Sequence, residues 1–83
     1  MKVQVRYFAS VREALALSGE GVDTQAETLA ALRDELIARG GAYATALARG
    51  KAVRMALDQT MSDEAAALHD GCEVAFFPPV TGG

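Results

Sequence analysis

The residues best suited to chemistry lie at the carboxyl end of the chain, which reads FFPPVTGG. Gly82 and Gly83 add no side chain to a core, and glycine gives up more backbone freedom on ordering than any other residue. Two interpretations are open: a frayed end of no consequence, or a thin segment that presents the carboxylate of Gly83 as a reactive group. Pro78 and Pro79 hold the backbone extended, which would project the last residues away from the domain. A proline pair equally suits protection of a sheet edge.

Other candidates for chemistry are weaker. Cys72 is the single cysteine, so an internal disulfide is excluded, and its acidic neighbours Asp70 and Glu73 do not favour a reactive thiolate. His69 has no second ligand at a metal-binding spacing, so we expect a surface residue and no metal site. The remaining carboxylates are scattered, without a pair that indicates acid–base catalysis. The carboxyl terminus is therefore the chemical candidate.

Composition limits the class of protein. With 83 residues, about half of them hydrophobic, the chain predicts one small folded domain with a modest core. A net charge of −3 argues against nucleic-acid binding, which usually needs a basic face. The sequence has no apolar run long enough for a transmembrane helix or a signal peptide. A single cysteine fits a reducing compartment, so we expect a cytoplasmic domain.

The first part of the chain predicts a strand, a short helix and a weak strand. Residues 2–8 alternate polar and apolar side chains, which is typical of a half-buried strand. Ser10 and Glu13 have the spacing of a capping box, so a helix is predicted there, with Gly19 as its end. A weak extended segment surrounds Val22.

The clearest element is a longer second helix. Thr28 can cap it and Gly40-Gly41 can stop it. Its apolar residues recur on one side of a helix: Leu29, Leu32, Leu36 and Ile37. The segment AYATALARG that follows could add a further turn or two.

The last part of the chain predicts strands. Residues 51–58 alternate in polarity, and residues 72–77 form a final strand after a turn at Asp70-Gly71. Residues 62–71 are ambiguous, because alanines favour a helix that tertiary context often overrides. The expected fold is α+β, a mixed sheet with one long helix packed across one face.

Two segments of the sequence resemble those of a known family. The segment DGCEVAFFPPVTGG closely resembles the C-terminus of the small subunit of molybdopterin synthase, and VRYFASVRE is similar to that family's first strand and its turn into a helix. The central helix and the DQT after the third strand fit as well, so the resemblance covers essentially the whole chain. The terminal octet is specific, whereas ubiquitin-like modifiers share the bare Gly-Gly. The resemblance implies a β-grasp, ubiquitin-like domain over residues 1–79 and a flexible tail over residues 80–83.

The family resemblance also implies a role as a sulfur carrier. An ATP-dependent activating enzyme adenylates the carboxylate, here that of Gly83, and sulfur from a donor protein displaces AMP to leave a thiocarboxylate. The tail then enters a pocket of the large synthase subunit, where sulfur passes to cyclic pyranopterin monophosphate. The implied assembly is a heterotetramer, to which this chain brings no catalysis on its own and no bound cofactor. The sequence leaves open which protein donates the sulfur and whether the carrier also supplies a second sulfur pathway.

Contacts with the large subunit are implied for a small set of residues. Phe8 and Arg12 match family positions that contact it, although Phe8 equally suits the core and Arg12 a solvated helix face. Phe77 should point opposite to a buried Phe76, and an exposed aromatic beside the tail suits an interface. The predicted partner-binding residues are Phe8, Arg12, Phe77, Pro78, Val80 and Thr81.

Three other functions compete with this one. A carrier for thiazole formation in thiamine synthesis shares the fold and the Gly-Gly, but FFPPVTGG favours the pterin pathway. A protein modifier would form isopeptide bonds with many targets, and a plain interaction module would tolerate loss of the tail.

Arg6 departs from the family pattern, because an apolar residue is common there.

Overall fold

Eight elements make up the computed structural model, which describes residues 1–79. The predicted tail, residues 80–83, lies outside the described residues. The elements in chain order are β1 (Lys2–Tyr7), α1 (Ala9–Leu15), β2 (Gly19–Asp23), α2 (Leu29–Ile37), α3 (Gly41–Ala46), β3 (Arg54–Leu57), β4 (Thr60–Ser62) and β5 (Glu73–Phe77). Within residues 1–79, no helix is both long and apolar enough to cross a membrane.

The five strands form one mixed sheet in the order β2-β1-β5-β3-β4. The central pair, β1 and β5, is parallel, and the other neighbours are antiparallel. The mixed sheet is as predicted, and this strand order, with helices on one face, is that of a β-grasp fold. Because β1 and β5 run in the same direction, both end at the same edge of the sheet.

The core lies between one face of the sheet and the helices. Val3, Val5 and Tyr7 of β1 are buried, whereas the residues between them are exposed, as period-two alternation requires. Phe76 of β5 is fully buried and stacks on Tyr7, with 6.2 Å between ring centroids. Four leucines complete this cluster, three from α2 and one directly after α3: Leu29, Leu32, Leu36 and Leu47. The opposite face of the sheet carries no helix within the described residues, and we call it the open face.

The prediction of one long helix is wrong, because the chain forms three short ones. Thr28 caps α2 as predicted, its Oγ1 accepting from the backbone N of Ala31 at 3.2 Å. The helix ends at Ile37, and the chain resumes as α3 at Gly41, where Gly40 and Gly41 have φ angles of +77° and +55°. Left-handed residues cannot continue a right-handed helix, so these glycines divide the helical segment.

The boundaries of α1 also differ from those predicted. The cap residue is Phe8, without a side-chain hydrogen bond, so Ser10 and Glu13 do not form the predicted capping box. The helix ends at Ala16, which takes the left-handed conformation with φ +53°. Gly19 belongs to β2 instead.

Gly19 is needed for a close approach between strands rather than for a helix end. A Cβ at this position would lie 2.8 Å from the carbonyl oxygen of Val5, which is closer than carbon and oxygen tolerate. β2 therefore pairs tightly with β1, and the weak strand predicted around Val22 is confirmed.

The third strand is shorter than the predicted range 51–58, and a fourth strand follows it in a hairpin. Asp58 and Gln59 form the turn with φ angles of +48° and +68°. The ambiguous residues 62–71 leave β4 at Ser62 and otherwise follow an irregular path. They are joined to the start of α2 by a β-bridge between Ala67 and Thr28 and by backbone hydrogen bonds from Leu29 and Ala30.

Candidate functional site

Those predicted partner-binding residues that the structure describes gather where β1 and β5 end. Phe8 follows β1 directly, Pro78 follows β5, and the two strands are parallel neighbours. The backbone N of Phe8 donates to the carbonyl oxygen of Phe76, with 3.1 Å between the two atoms. The chain therefore leaves the sheet towards its tail beside the start of α1.

Phe76 and Phe77 point to opposite faces of the sheet, as alternation along a strand requires. Phe76 is fully buried in the core, as predicted, whereas Phe77 is half-buried on the open face. The last aromatic before the prolines is thus available to a partner on the side away from the helices.

A shallow groove crosses the open face beside Phe77. Phe8 and Met61, which line this groove, expose 43% and 59% of their surface and are among the most exposed large apolar side chains in the described part of the chain. The residues that line the groove are Arg6, Phe8, Ala56, Gln59, Met61, Glu73, Ala75 and Phe77. We call it the open-face groove. Its apolar floor and polar rim are the arrangement expected of a protein-binding surface.

Met61 belongs to this surface, and sequence reasoning missed it. Met61 pairs with Ala56 across the β3–β4 ladder, which places its side chain on the open face. The strand that carries it has only three residues, too few for an alternation pattern to be recognised. The available signal was a methionine surrounded by polar residues directly after a hairpin turn.

Arg12 and Pro78 lie outside the open-face groove. Pro78 is half-buried and lines a small cleft of about 110 Å³ together with Val11 and Val53. Arg12 is exposed on α1, the helix that forms one wall of this cleft. The structure thus brings Phe8 and Phe77 together in one groove and leaves Pro78 and Arg12 around the tail exit. The predicted residues Val80, Thr81, Gly82 and Gly83 lie outside the described residues.

A polar cluster around Glu20 fixes the end of β1. The Glu20 carboxylate accepts hydrogen bonds from the hydroxyls of Tyr7 and Tyr43, at 2.9 and 2.6 Å, and from the Arg39 guanidinium at 2.9 Å. Burial opposes the charge of this carboxylate, but the three donors outweigh it and hold the pKa of Glu20 below its usual value. Burial, followed by the bond to Glu20, raises the pKa of Tyr7 far above its usual value. Tyr7 therefore stays a neutral donor, and it immediately precedes Phe8.

A second polar cluster fixes the start of β5. Asp58 accepts from the backbone N of Glu73 at 2.9 Å and bonds the His69 ring, with 2.7 Å between Oδ2 and Nε2. The hydrogen bond from the backbone N–H of Glu73, followed by the bond to the His69 ring, lowers the pKa of Asp58. The same carboxylate raises the pKa of His69. His69 is thus an exposed partner of the β3–β4 turn.

Cys72 lies in the core and is fully buried, an environment in which a thiol is inert. Among residues 1–79, no three His, Cys, Asp or Glu side chains come together in a way that could hold a metal ion. The side chains described at the tail exit present surfaces for binding rather than an array for acid–base or metal chemistry.

Relatives of the chain extend over nearly its whole length. The ThiS family model matches residues 5–83. The molybdopterin synthase sulfur carrier subunit of Escherichia coli is 42% identical over 81 residues, covering 98% of this chain and 99% of the relative. The subunit of the same name from Haemophilus influenzae is 37% identical over 81 residues, with the same shares covered. A chain from the complex of subunits 1 and 2 of molybdopterin-converting factor from Helicobacter pylori matches with a TM-score of 0.70 and 27% identity, over 100% of both chains.

Proposed function

Because the chain belongs to the ThiS family, we propose that it is the sulfur-carrier subunit of a molybdopterin synthase. The observation that carries this proposal is a near full-length identity of 42% to a protein of that name. The fold supports it, since β5, the last strand before the C-terminal residues, ends beside an apolar groove. The thiamine-pathway carrier and the protein modifier gain no comparable support from these relatives.

The proposed reactive group is the carboxylate of Gly83. A carboxylate is a poor electrophile, because its negative charge repels nucleophiles and its oxygen is a poor leaving group. Adenylation by an ATP-dependent activating enzyme supplies a leaving group, and sulfur from a donor protein then displaces AMP and leaves a thiocarboxylate. Gly82 and Gly83 give the tail its smallest cross-section, which suits passage through the narrow sites of two enzymes.

The second proposed step is transfer within the synthase. The thiocarboxylate is a soft anionic nucleophile. Its sulfur attacks a side-chain carbon of cyclic pyranopterin monophosphate, so that a carbon–sulfur bond replaces a carbon–oxygen bond and the oxygen departs as the leaving group. Hydrolysis of the bond between the acyl carbon and sulfur then returns the carboxylate of Gly83. Two such transfers build a dithiolene. The large subunit supplies the pocket and its catalytic groups, so this chain acts as a protein cosubstrate.

The open-face groove is the proposed docking surface for the large subunit. Phe8, Met61 and Phe77 supply apolar anchors of the kind that dominate binding energy at protein interfaces. A relative of this chain from Helicobacter pylori occurs in a complex of subunits 1 and 2, which supports a partner of this kind. Since the groove adjoins the tail exit, docking would also place the tail at the partner's pocket. A heterotetramer, with one carrier at each end of a dimer of large subunits, is the proposed assembly.

A transfer assay tests the function. The chain is prepared chemically with a thiocarboxylate at residue 83 and is mixed with the large subunit and cyclic pyranopterin monophosphate. We expect the chain to return to its carboxylate mass while the pterin gains sulfur, and the unmodified chain serves as the control. A thiocarboxylate that persists, under conditions in which the Escherichia coli carrier transfers its sulfur to the same pterin with its own large subunit, would overturn the proposal.

A further inference from the structure

Arg54 lies beside Phe77 on the open face. The two residues are Cα partners in the antiparallel β3–β5 ladder, so their side chains emerge from the same face of the sheet. Cβ atoms of directly paired residues are about 5 Å apart. Arg54 is exposed, whereas the next residue, Met55, is buried on the helix side. The side chain of Arg54 thus leaves the sheet beside Phe77, one of the two aromatic residues of the open-face groove.

The acidic residues that share a shallow depression with Arg54 are engaged elsewhere. These residues are Asp63 and Glu64. Glu64 lies 3.3 Å from the guanidinium of Arg33 and also pairs with Arg49. Asp63, which lines a shallow depression together with Arg54, accepts from a backbone N at 2.8 Å.

Arg54 differs in this respect from most arginines of the domain. Within residues 1–79, Arg54 has no carboxylate oxygen within ion-pair distance, whereas four other arginines have one: Arg6, Arg33, Arg39 and Arg49. In water an exposed guanidinium needs no partner. Once a partner covers Phe77, however, the neighbouring guanidinium loses water, and an unpaired charge in an interface is costly.

We propose that the large subunit places a carboxylate against the guanidinium of Arg54 when it docks on the open face. This inference rests on the proposed function and adds the chemistry of the partner's surface. The planar guanidinium can bind a carboxylate with two parallel hydrogen bonds, which fixes orientation as well as charge. A partner with an apolar or basic residue at that place is rejected, so Arg54 selects the cognate large subunit.

Binding measurements with charge variants test this inference. The large subunit is titrated with the chain and with Arg54→Glu, Arg54→Lys and Phe77→Asp variants. The matched control is Lys2→Glu, which reverses an exposed charge at the far end of β1. We expect Arg54→Glu to weaken binding by about 50-fold or more. Arg54→Lys should give an intermediate loss, because lysine keeps the positive charge but cannot make the two parallel hydrogen bonds of a guanidinium. Binding of Lys2→Glu should stay within about twofold of that of the unaltered chain.

The two hypotheses fail in distinguishable ways. If Arg54→Glu binds as the unaltered chain does while Phe77→Asp does not bind, the docking face stands and the partner carboxylate is disproved. If both variants bind as the unaltered chain does, the docking surface itself is wrong. Circular dichroism checks that Arg54→Glu leaves the fold intact. Arg54→Lys provides a second, milder substitution at the same position, with its binding affinity measured in the same way.

Discussion

Phe8 and Phe77 line the same groove from the ends of two neighbouring parallel strands. The parallel pairing carries both chain segments to one edge of the sheet, and the bond from the Phe8 amide to the Phe76 carbonyl fixes them there. The surface proposed to bind the large subunit and the origin of the tail are therefore parts of one rigid unit. A partner bound in the groove therefore also lies next to the end of β5, from which the tail continues.

Replacement of Phe77 should affect binding more than stability. Phe77→Ala removes a half-buried aromatic from the open-face groove but leaves the core residue Phe76 in place. We expect a loss of about 2 kcal/mol in binding free energy to the large subunit, as for an interface anchor. Isothermal titration calorimetry measures it, with exposed Gln25→Ala as the control. Unchanged affinity for Phe77→Ala would remove the groove from the proposed interface.

A methyl group near the end of the tail should slow sulfur loading. Gly82→Ala widens the tail and restricts its backbone, so we expect the loading rate to fall by about tenfold or more. The matched control is Gly50→Ala, because an added Cβ at Gly50 meets no atom within 4 Å and its φ is not positive. The rate of thiocarboxylate formation, followed by intact mass, reports the effect. Equal rates for both alanine variants would show that the tail's width is unimportant.

Removal of the Glu20 carboxylate should destabilise the end of β1. Glu20→Ala leaves the buried Tyr7 hydroxyl without its acceptor, at a cost of about 1–3 kcal/mol in the free energy of unfolding. Urea unfolding measures the change. Glu27→Ala is the control, because Glu27 is exposed and its side chain makes no hydrogen bond within the described residues. Equal unfolding midpoints would mean that the cluster does not hold the strand.

The bond between His69 and Asp58 should make stability depend on pH. The folded pKa of His69 is raised, so its contribution is full below the ordinary pKa of about 6.5 and is lost as pH rises through the folded pKa. The folded pKa of Asp58 is lowered, so its contribution is lost only as pH falls through that lower value.

Melting temperatures of the unaltered chain and of His69→Gln test this pH dependence. The difference between them should be full below the ordinary histidine pKa of about 6.5 and should diminish as pH rises through the raised pKa of His69. A constant difference across that rise in pH would show that the charge of His69 contributes nothing.

Local pattern predicted the elements that are set locally. The alternation of Val3, Val5 and Tyr7 indicated β1, and Thr28 indicated the start of α2; both are confirmed. The start of α1 was not predictable in this way, because a long-range bond from Phe8 to Phe76 determines it. The prediction of a single long helix is wrong because α2 ends at Ile37, and the left-handed residues Gly40 and Gly41 separate it from the rest of α3.

The same distinction between local and long-range determinants applies to the candidate site. The tail motif indicates Phe77 and the terminal glycines, and the family resemblance of VRYFASVRE indicates Phe8. The places of Met61 and Arg54 depend on the β3–β4 and β3–β5 registers, which no local pattern specifies. The Asp58-Gln59 turn hides the hairpin further, because it lacks the Asn-Gly or Asp-Gly pair that usually signals one.

The most direct test of the sulfur-carrier function is the intact mass of the chain after incubation with ATP, an activating enzyme and a sulfur donor. A chain that lacks Gly82 and Gly83 is treated in parallel. We predict a mass gain that matches exchange of one oxygen for sulfur in the full chain and no gain in the shortened one. No gain in the full chain, with an activating enzyme that loads the Escherichia coli carrier, would contradict the proposed function.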